Sequence, residues 1–168
     1  IWTSPKLDGV RAIWRWDLGK FQSRTGTFYN VPHLEEILKY TKEPLDGELY
    51  IHGTPLNRIV SAARKPNAIT PDLEFRVFDL AYAQTSFTQR REMYTNAVWN
   101  LQDDKVIAVA QFIGAHTQSE IKQKHDRFVQ QGFEGVMIRP DIGTGYELGV
   151  RSNTLYKYKE FLENEFYV

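Results

Sequence analysis

Cysteine is absent from the 168-residue sequence, which excludes disulfides, thiolate metal sites and cysteine nucleophiles. Histidine is scarce: His33, His52, His116 and His125 are scattered, and none stands at metal-ligand spacing from another. Long apolar runs are lacking as well. The cleanest aliphatic stretch, Val106 to Ala110, falls far short of the roughly 20 residues of a membrane span, and no charged-then-apolar leader opens the chain. An excess of one charge is also missing, because 21 Lys and Arg balance 21 Asp and Glu. A polyanionic partner must therefore be held by a local basic patch and not by an overall positive field. These absences predict a soluble, intracellular chain with no membrane association.

What is present is ample for one packed core: 42% of residues are hydrophobic, in a length typical of one domain. No internal repeat, low-complexity tract or internal linker breaks the chain. It opens on Ile1 and Trp2 and closes on Phe166, Tyr167 and Val168, both β-prone, so it reads as a domain cut from a longer protein. Ala12 to Trp16 and Phe21 to Ser23 flank the turn-rich Asp17 to Lys20, which predicts a hairpin. Further strands are expected at Leu45–Ile51, Leu73–Leu80, Val106–Ile113, Gly135–Arg139 and Thr154–Phe161. Helices are expected at His33–Tyr40, Pro55–Ala63, Thr88–Leu101 and Ser119–Gln131. The last has a capping-box pattern in Thr117 and Glu120, a shared face of Ile121, His125, Phe128 and Val129, and Gly132 as its stop. Irregularly spaced strands with helices between them predict an α+β domain of mainly antiparallel sheets with helices packed on them.

Chemistry is concentrated in short clusters. Lys6, Leu7, Asp8, Gly9, Val10, Arg11 brackets an Asp-Gly turn with two cations; one reading is a solvated hairpin turn, the other a lysine nucleophile. An amine attacks phosphorus only when neutral, which needs desolvation or nearby positive charge. Further clusters follow in order: Ser23, Arg24, Thr25, Gly26; then Leu45, Asp46, Gly47, Glu48, Leu49; then Phe75, Arg76, Val77, Phe78, Asp79, Leu80. Glu134, Gly135, Val136, Met137, Ile138, Arg139 comes next, and Leu155, Tyr156, Lys157, Tyr158, Lys159 closes the series. Glu48 and Glu134 on separate segments are candidate ligands for a hard divalent ion, which needs converging carboxylates. Lys157 and Lys159 alternate with tyrosines, so on a strand both ammonium groups share one face.

In these clusters and their order, from Lys6 to Lys159, the sequence resembles the covalent nucleotidyltransferases, most closely the nucleotidyltransferase (adenylation) domain of small ATP-dependent DNA ligases. The resemblance implies an ATP-grasp-like fold over residues 1–160, with residues 161–168 starting a hinge to an OB-fold domain that is absent here. It implies that Lys6 attacks the α-phosphate of ATP and keeps AMP as a phosphoramidate, with magnesium or manganese as the metal. Asp8 would order the site, or serve only as a turn former beside Gly9. Arg11 would hold the ribose or a phosphate. Glu48 and Glu134 would contact ribose and metal, in an order the resemblance leaves open. Lys157 and Lys159 would stabilise phosphate oxygens and help keep Lys6 neutral.

Phe78 corresponds to the aromatic that stacks on adenine, and Met137 to the residue packing on the other face of the base; ordinary core packing is the alternative for both. Ser4 and Pro5 stand where the family's backbone meets adenine. Arg24 corresponds to the arginine that grips the 5′-phosphate at a nick in double-stranded DNA. Arg151, with Arg58, Arg64 and Lys65, is a candidate for further phosphate contacts. With no OB domain after Lys159, a monomer that self-adenylates slowly and seals nicks poorly is expected. NAD is disfavoured as donor, since NAD-dependent ligases use a segment upstream of the lysine. RNA ligases and messenger-RNA capping guanylyltransferases share much of the pattern, and a non-catalytic nucleic-acid-binding module of the same fold is the alternative outside enzymes.

Overall fold

The computed structural model of the chain describes residues 1–141, 145–147 and 155–159. The chain begins with β1 (Trp2–Lys6), β2 (Val10–Arg15), β3 (Lys20–Gln22), β4 (Phe28–Tyr29), α1 (Pro32–Leu38), β5 (Leu45–Tyr50) and α2 (Leu56–Arg64). Then come β6 (Glu74–Leu80), α3 (Phe87–Leu101), β7 (Val106–Ala108), β8 (Phe112–Ile113), α4 (Gln118–Gln130), β9 (Gly135–Arg139) and β10 (Tyr156–Tyr158). The strands form two sheets, a six-stranded one in the order β4-β3-β2-β5-β6-β7 and a four-stranded one in the order β10-β9-β1-β8. All pairings are antiparallel except β6 with β7. The expected α+β class and mainly antiparallel sheets are therefore present.

Period-2 alternation decides which side chains meet. In the six-stranded sheet Ala12 lies opposite Gly47, Gly47 opposite Val77, and Leu49 opposite Phe75. These residues belong to the main core, with Trp14, Phe21, Leu34, Leu38 and Ile59 from neighbouring strands and helices. On the other face of the same strands, Arg11 lies opposite Glu48. In the four-stranded sheet Ser4, Met137 and Lys157 form one cross-strand row, and Lys6 pairs with Gly135. Both sheets thus turn a polar-bearing face toward the same space.

Two of the helices open on capping boxes. Thr117 Oγ1 accepts from the Glu120 amide at 3.2 Å, and Glu120 Oε2 accepts from the Thr117 amide at 2.9 Å, the expected capping box. A second box, Ser86 with Gln89, opens α3. Of the face expected for α4, His125 and Phe128 are buried, but Val129 is 42% exposed, because it sits toward solvent past the edge of the packed stripe.

Two expectations need correction. The Val106–Ile113 run is two strands in different sheets: β7 pairs with β6, and β8 pairs with β1. The backbone leaves one sheet after Ala108 and enters the other at Phe112, which a continuous apolar pattern conceals. The Asp8-Gly9 turn is not a hairpin, since β1 and β2 belong to different sheets. The closing strand is described only over Tyr156–Tyr158, and Thr154, residues 160–168 and the expected hinge lie outside the described residues. No helix among the described residues is long and apolar enough to cross a membrane.

Candidate active site

Between the facing sheets lies a cleft of about 730 Å³, its open mouth included. One wall carries Ser4, Pro5, Lys6, Met137 and Arg139; the other carries Arg11, Glu48 and Phe78. Gln111 and Val109, from the link between β7 and β8, and Leu155 complete it. Phe78 and Met137, for which core packing was the alternative, are both only half-buried and line this space.

Lys6 ends β1 at the crossing between sheets. Its backbone carbonyl accepts from the Glu134 amide at 3.0 Å, which sets the two side chains next to each other, and Lys6 Nζ donates to Glu134 Oε2. Lys159 Nζ donates to the other oxygen, Oε1, at 2.8 Å. One carboxylate therefore stands between two ammonium groups. Desolvation pushes Glu134 upward, but the hydrogen bonds and charges of Lys159 and Lys6 outweigh it and hold the carboxyl below its ordinary value. Acidic and basic side chains from distant stretches are thus gathered round Lys6, in a lysine–glutamate–lysine arrangement. Lys157 is exposed, in the row of Met137, on the same strand face as Lys159.

Two glycines make these approaches possible. A Cβ on Gly9 would lie 2.5 Å from the Leu49 carbonyl oxygen and 2.7 Å from Glu48 Cγ, so the turn after Lys6 crosses β5 only without a side chain. A Cβ on Gly135 would lie 2.3 Å from the Tyr158 carbonyl oxygen, where β10 closes on β9 beside Lys159.

Opposite Lys6, Glu48 lines the cleft with its carboxyl pushed up to about 8, by burial first and by the charge of Asp46 second. Arg11 grips Asp46 through Nε at 3.1 Å and Nη2 at 2.7 Å, and its guanidinium carbon lies 5.8 Å from the centre of the Phe78 ring. Tyr146 donates to Asp46 Oδ2 at 2.7 Å and accepts from Arg11 at 3.1 Å. Burial works against the Arg11 charge, and Asp46 outweighs it, raising the arginine above its ordinary pKa. Arg11 is thereby oriented by Asp46 and Tyr146, with its guanidinium beside Phe78.

Among the described residues no three or more His, Asp or Glu side chains converge. The donor set still fits a magnesium-type ion, which binds through one or two carboxylates and completes its shell with substrate phosphates and water. Glu48 is the carboxyl that faces the cleft free of a lysine.

Not every expected residue is gathered in. Asp8 is exposed on the turn after Lys6, and Arg24 is exposed on the β3–β4 turn. Arg58, Arg64 and Lys65 are exposed on and just after α2. Arg151 lies outside the described residues. Conversely, Asp46, Asp79, Arg139 and Tyr146 hold the site together without having been singled out. For the first three a signal existed: ionisable residues inside apolar strand runs are rarely buried unless paired. Tyr146 carried none.

The family model described as ATP dependent DNA ligase domain matches residues 1–159. The chain belongs to this family. A DNA ligase of African swine fever virus (isolate Tick/Malawi/Lil 20-1/1983) is 31% identical over 128 residues, 73% of this chain and 30% of the viral protein. The domain therefore spans about 30% of the length of such curated relatives. Among solved structures, one from a structure-function study of Lig E DNA ligases superposes with a TM-score of 0.79 at 25% identity, over 95% of this chain and 61% of that one. Chlorella virus DNA ligase-adenylate shares the fold at TM-score 0.73 and 24% identity, over 94% of this chain and 60% of that one. Bacteriophage T7 ATP-dependent DNA ligase in complex with ATP does so at 0.75 and 18%, over 94% and 61%. The domain is a nucleotidyltransferase domain of ATP-dependent DNA ligase type.

Proposed function

We propose that the cleft binds ATP and that Lys6 Nζ attacks its α-phosphorus. The N–P bond forms as the bond to the β-phosphate bridge breaks and pyrophosphate leaves, giving lysyl-AMP. AMP then passes to the 5′-phosphate of a DNA nick, and attack by the 3′-hydroxyl seals the strand and releases AMP. The observation that carries this reading is the position of Lys6: at the lip of a cleft whose far end is an aromatic and thioether pair, and in contact with Glu134.

The side chains divide the work by type. Phe78 and Met137 offer polarizable surfaces to the two faces of a purine, while Ser4 and Pro5 form the strand at its edge. Arg11, oriented by Asp46, offers its guanidinium to ribose or phosphate. Lys159 and Lys157 supply positive charge for phosphate oxygens as charge develops. Attack requires a Lys6 amine freed of its proton and of the Glu134 contact, and Lys159 retains that carboxylate when Lys6 turns to phosphorus. Asp8 fixes the turn that presents Lys6. Glu48, and Glu134 once released, would hold magnesium or manganese, which neutralises phosphate charge when bound. Arg24, and Arg151 if it reaches the same surface, would hold DNA phosphates.

The test is incubation with magnesium and α-labelled ATP. An acid-labile covalent label that disappears in Lys6→Ala supports the reading, and absence of label in the unaltered chain overturns it. Label from GTP in preference to ATP would replace it with capping chemistry, and nicked DNA against nicked RNA as acceptor decides the polynucleotide.

A further inference from the structure

At the wall of the cleft, an ion pair between Arg139 and the buried Asp79 joins the two sheets. Asp79, directly after Phe78 on β6, accepts from Arg139, two residues beyond Met137 on β9. Asp79 is 3% exposed and Arg139 13%. The Arg139 guanidinium also lies over Phe87, 4.0 Å from the ring centre. It is thus held from two sides, by a carboxylate of the six-stranded sheet and by the first residue of α3.

We propose that the Asp79–Arg139 pair is a brace that sets the spacing of the Phe78–Met137 slot, making Arg139 a positioning residue for the nucleotide base. The proposal rests on the reading of Phe78 and Met137 as the base slot. Those two residues come from different sheets and share no hydrogen-bonded ladder, so nothing in the strand pairing fixes their separation. The brace ties the residue after Phe78 to the residue two beyond Met137. A charge-assisted hydrogen bond suits the task because it is directional and strengthened out of water, unlike apolar packing, which tolerates sliding.

Arg139 is not the sole partner of the Asp79 carboxylate. Arg90, only 5% exposed, donates to Asp79 Oδ1 through Nε at 2.7 Å and to Oδ2 at 3.3 Å. Removing Arg139 therefore leaves no unpaired buried carboxylate, the usual reason such a substitution unfolds a domain. The second arginine on one aspartate is redundant for charge balance within the six-stranded sheet and α3; what it adds is the link to β9.

Equilibrium binding of α,β-methylene-ATP, which cannot release pyrophosphate, isolates this role from chemistry. Arg139→Met is expected to weaken binding about tenfold, Arg139→Lys to restore most of it, and both to keep the urea midpoint close to that of the unaltered chain. In a Phe78→Ala background, Arg139→Met should cost less than twofold further, because the slot it serves is already gone. Unchanged affinity in Arg139→Met, or the same tenfold loss with and without Phe78, overturns the brace, as does failure of the unaltered chain to bind. Should Arg139→Met unfold, Arg139→Gln, which also removes the charge, supplies the same cycle with Phe78→Ala. Binding that follows this pattern without covalent labelling from ATP would keep the brace and overturn lysyl transfer.

Discussion

Lys159 Nζ donates to Glu134 Oε1 at 2.8 Å on the very carboxylate whose other oxygen is held by Lys6. The lysine that would attack and the lysine that would support it are therefore coupled through one acid. Losing that acid should remove a contact from both.

Glu134→Gln keeps the shape and one acceptor but removes the charge between the lysines. Labelling from ATP is expected to fall by about two orders of magnitude, on the scale of a lost transition-state electrostatic contact, with the fold retained by circular dichroism. The stability effect has a definite sign. The folded pKa of Glu134 lies below its ordinary value, so its contribution is present above about pH 4.5 and is lost as pH falls through the folded value. The urea midpoints of the unaltered chain and Glu134→Gln should therefore converge between pH 6 and 3. Partial exposure of the pair limits the difference at pH 6 to about 1 kcal/mol.

Glu48 has the opposite sign. Its folded carboxyl is pushed up to about 8, so the folded state holds a proton that the unfolded chain releases near pH 4.5. Stability should fall as pH rises from about 4.5 to 8 and level off above that. Glu48→Gln, which needs no ionisation, is expected to flatten this decline and to be more stable than the unaltered chain at pH 8 by about 1–2 kcal/mol. Thermal melts at matched ionic strength check it; parallel pH profiles for the two proteins would refute it.

Asp46 is buried with Arg11 and Tyr146 on it. Asp46→Ala leaves the Arg11 guanidinium without its carboxylate and the Tyr146 hydroxyl without its acceptor, an expected cost of about 3 kcal/mol in urea unfolding. Asp46→Asn, which still accepts from both, should recover part of it. ATP affinity should drop in each, because Arg11, whose guanidinium lies beside Phe78, loses its anchor.

Gly135→Ala would place a methyl group 2.3 Å from the Tyr158 carbonyl oxygen. β10 must then move away from β9, taking Lys159 from Glu134. Labelling is expected to drop more than tenfold while the six-stranded sheet keeps its amide protection in hydrogen exchange; protection of β9 and β10 should fall.

Much of this was legible in the chain because local rules and tertiary structure agree. The Asp17 to Lys20 hairpin, the Thr117 capping box and the period-2 alternation around Glu48 each depend on neighbours in sequence. The charged clusters were visible as chemistry, and Ser4, Lys6, Arg11, Glu48, Phe78 and Met137 do meet in one cleft. What stayed hidden depends on which sheet a strand joins. Val106 to Ile113 has one apolar pattern and two destinations. The brace of Asp79 and Arg139 spans 60 positions, and no periodicity encodes so long a pairing. Lys6 beside Glu134 is of the same kind, 128 positions apart.

Lys6 is the last residue of β1, and Val10 begins β2 in the opposite sheet. An attacking nitrogen on Lys6 would thus be mounted where the chain passes from one wall of the cleft to the other, and its aim would answer to both sheets at once.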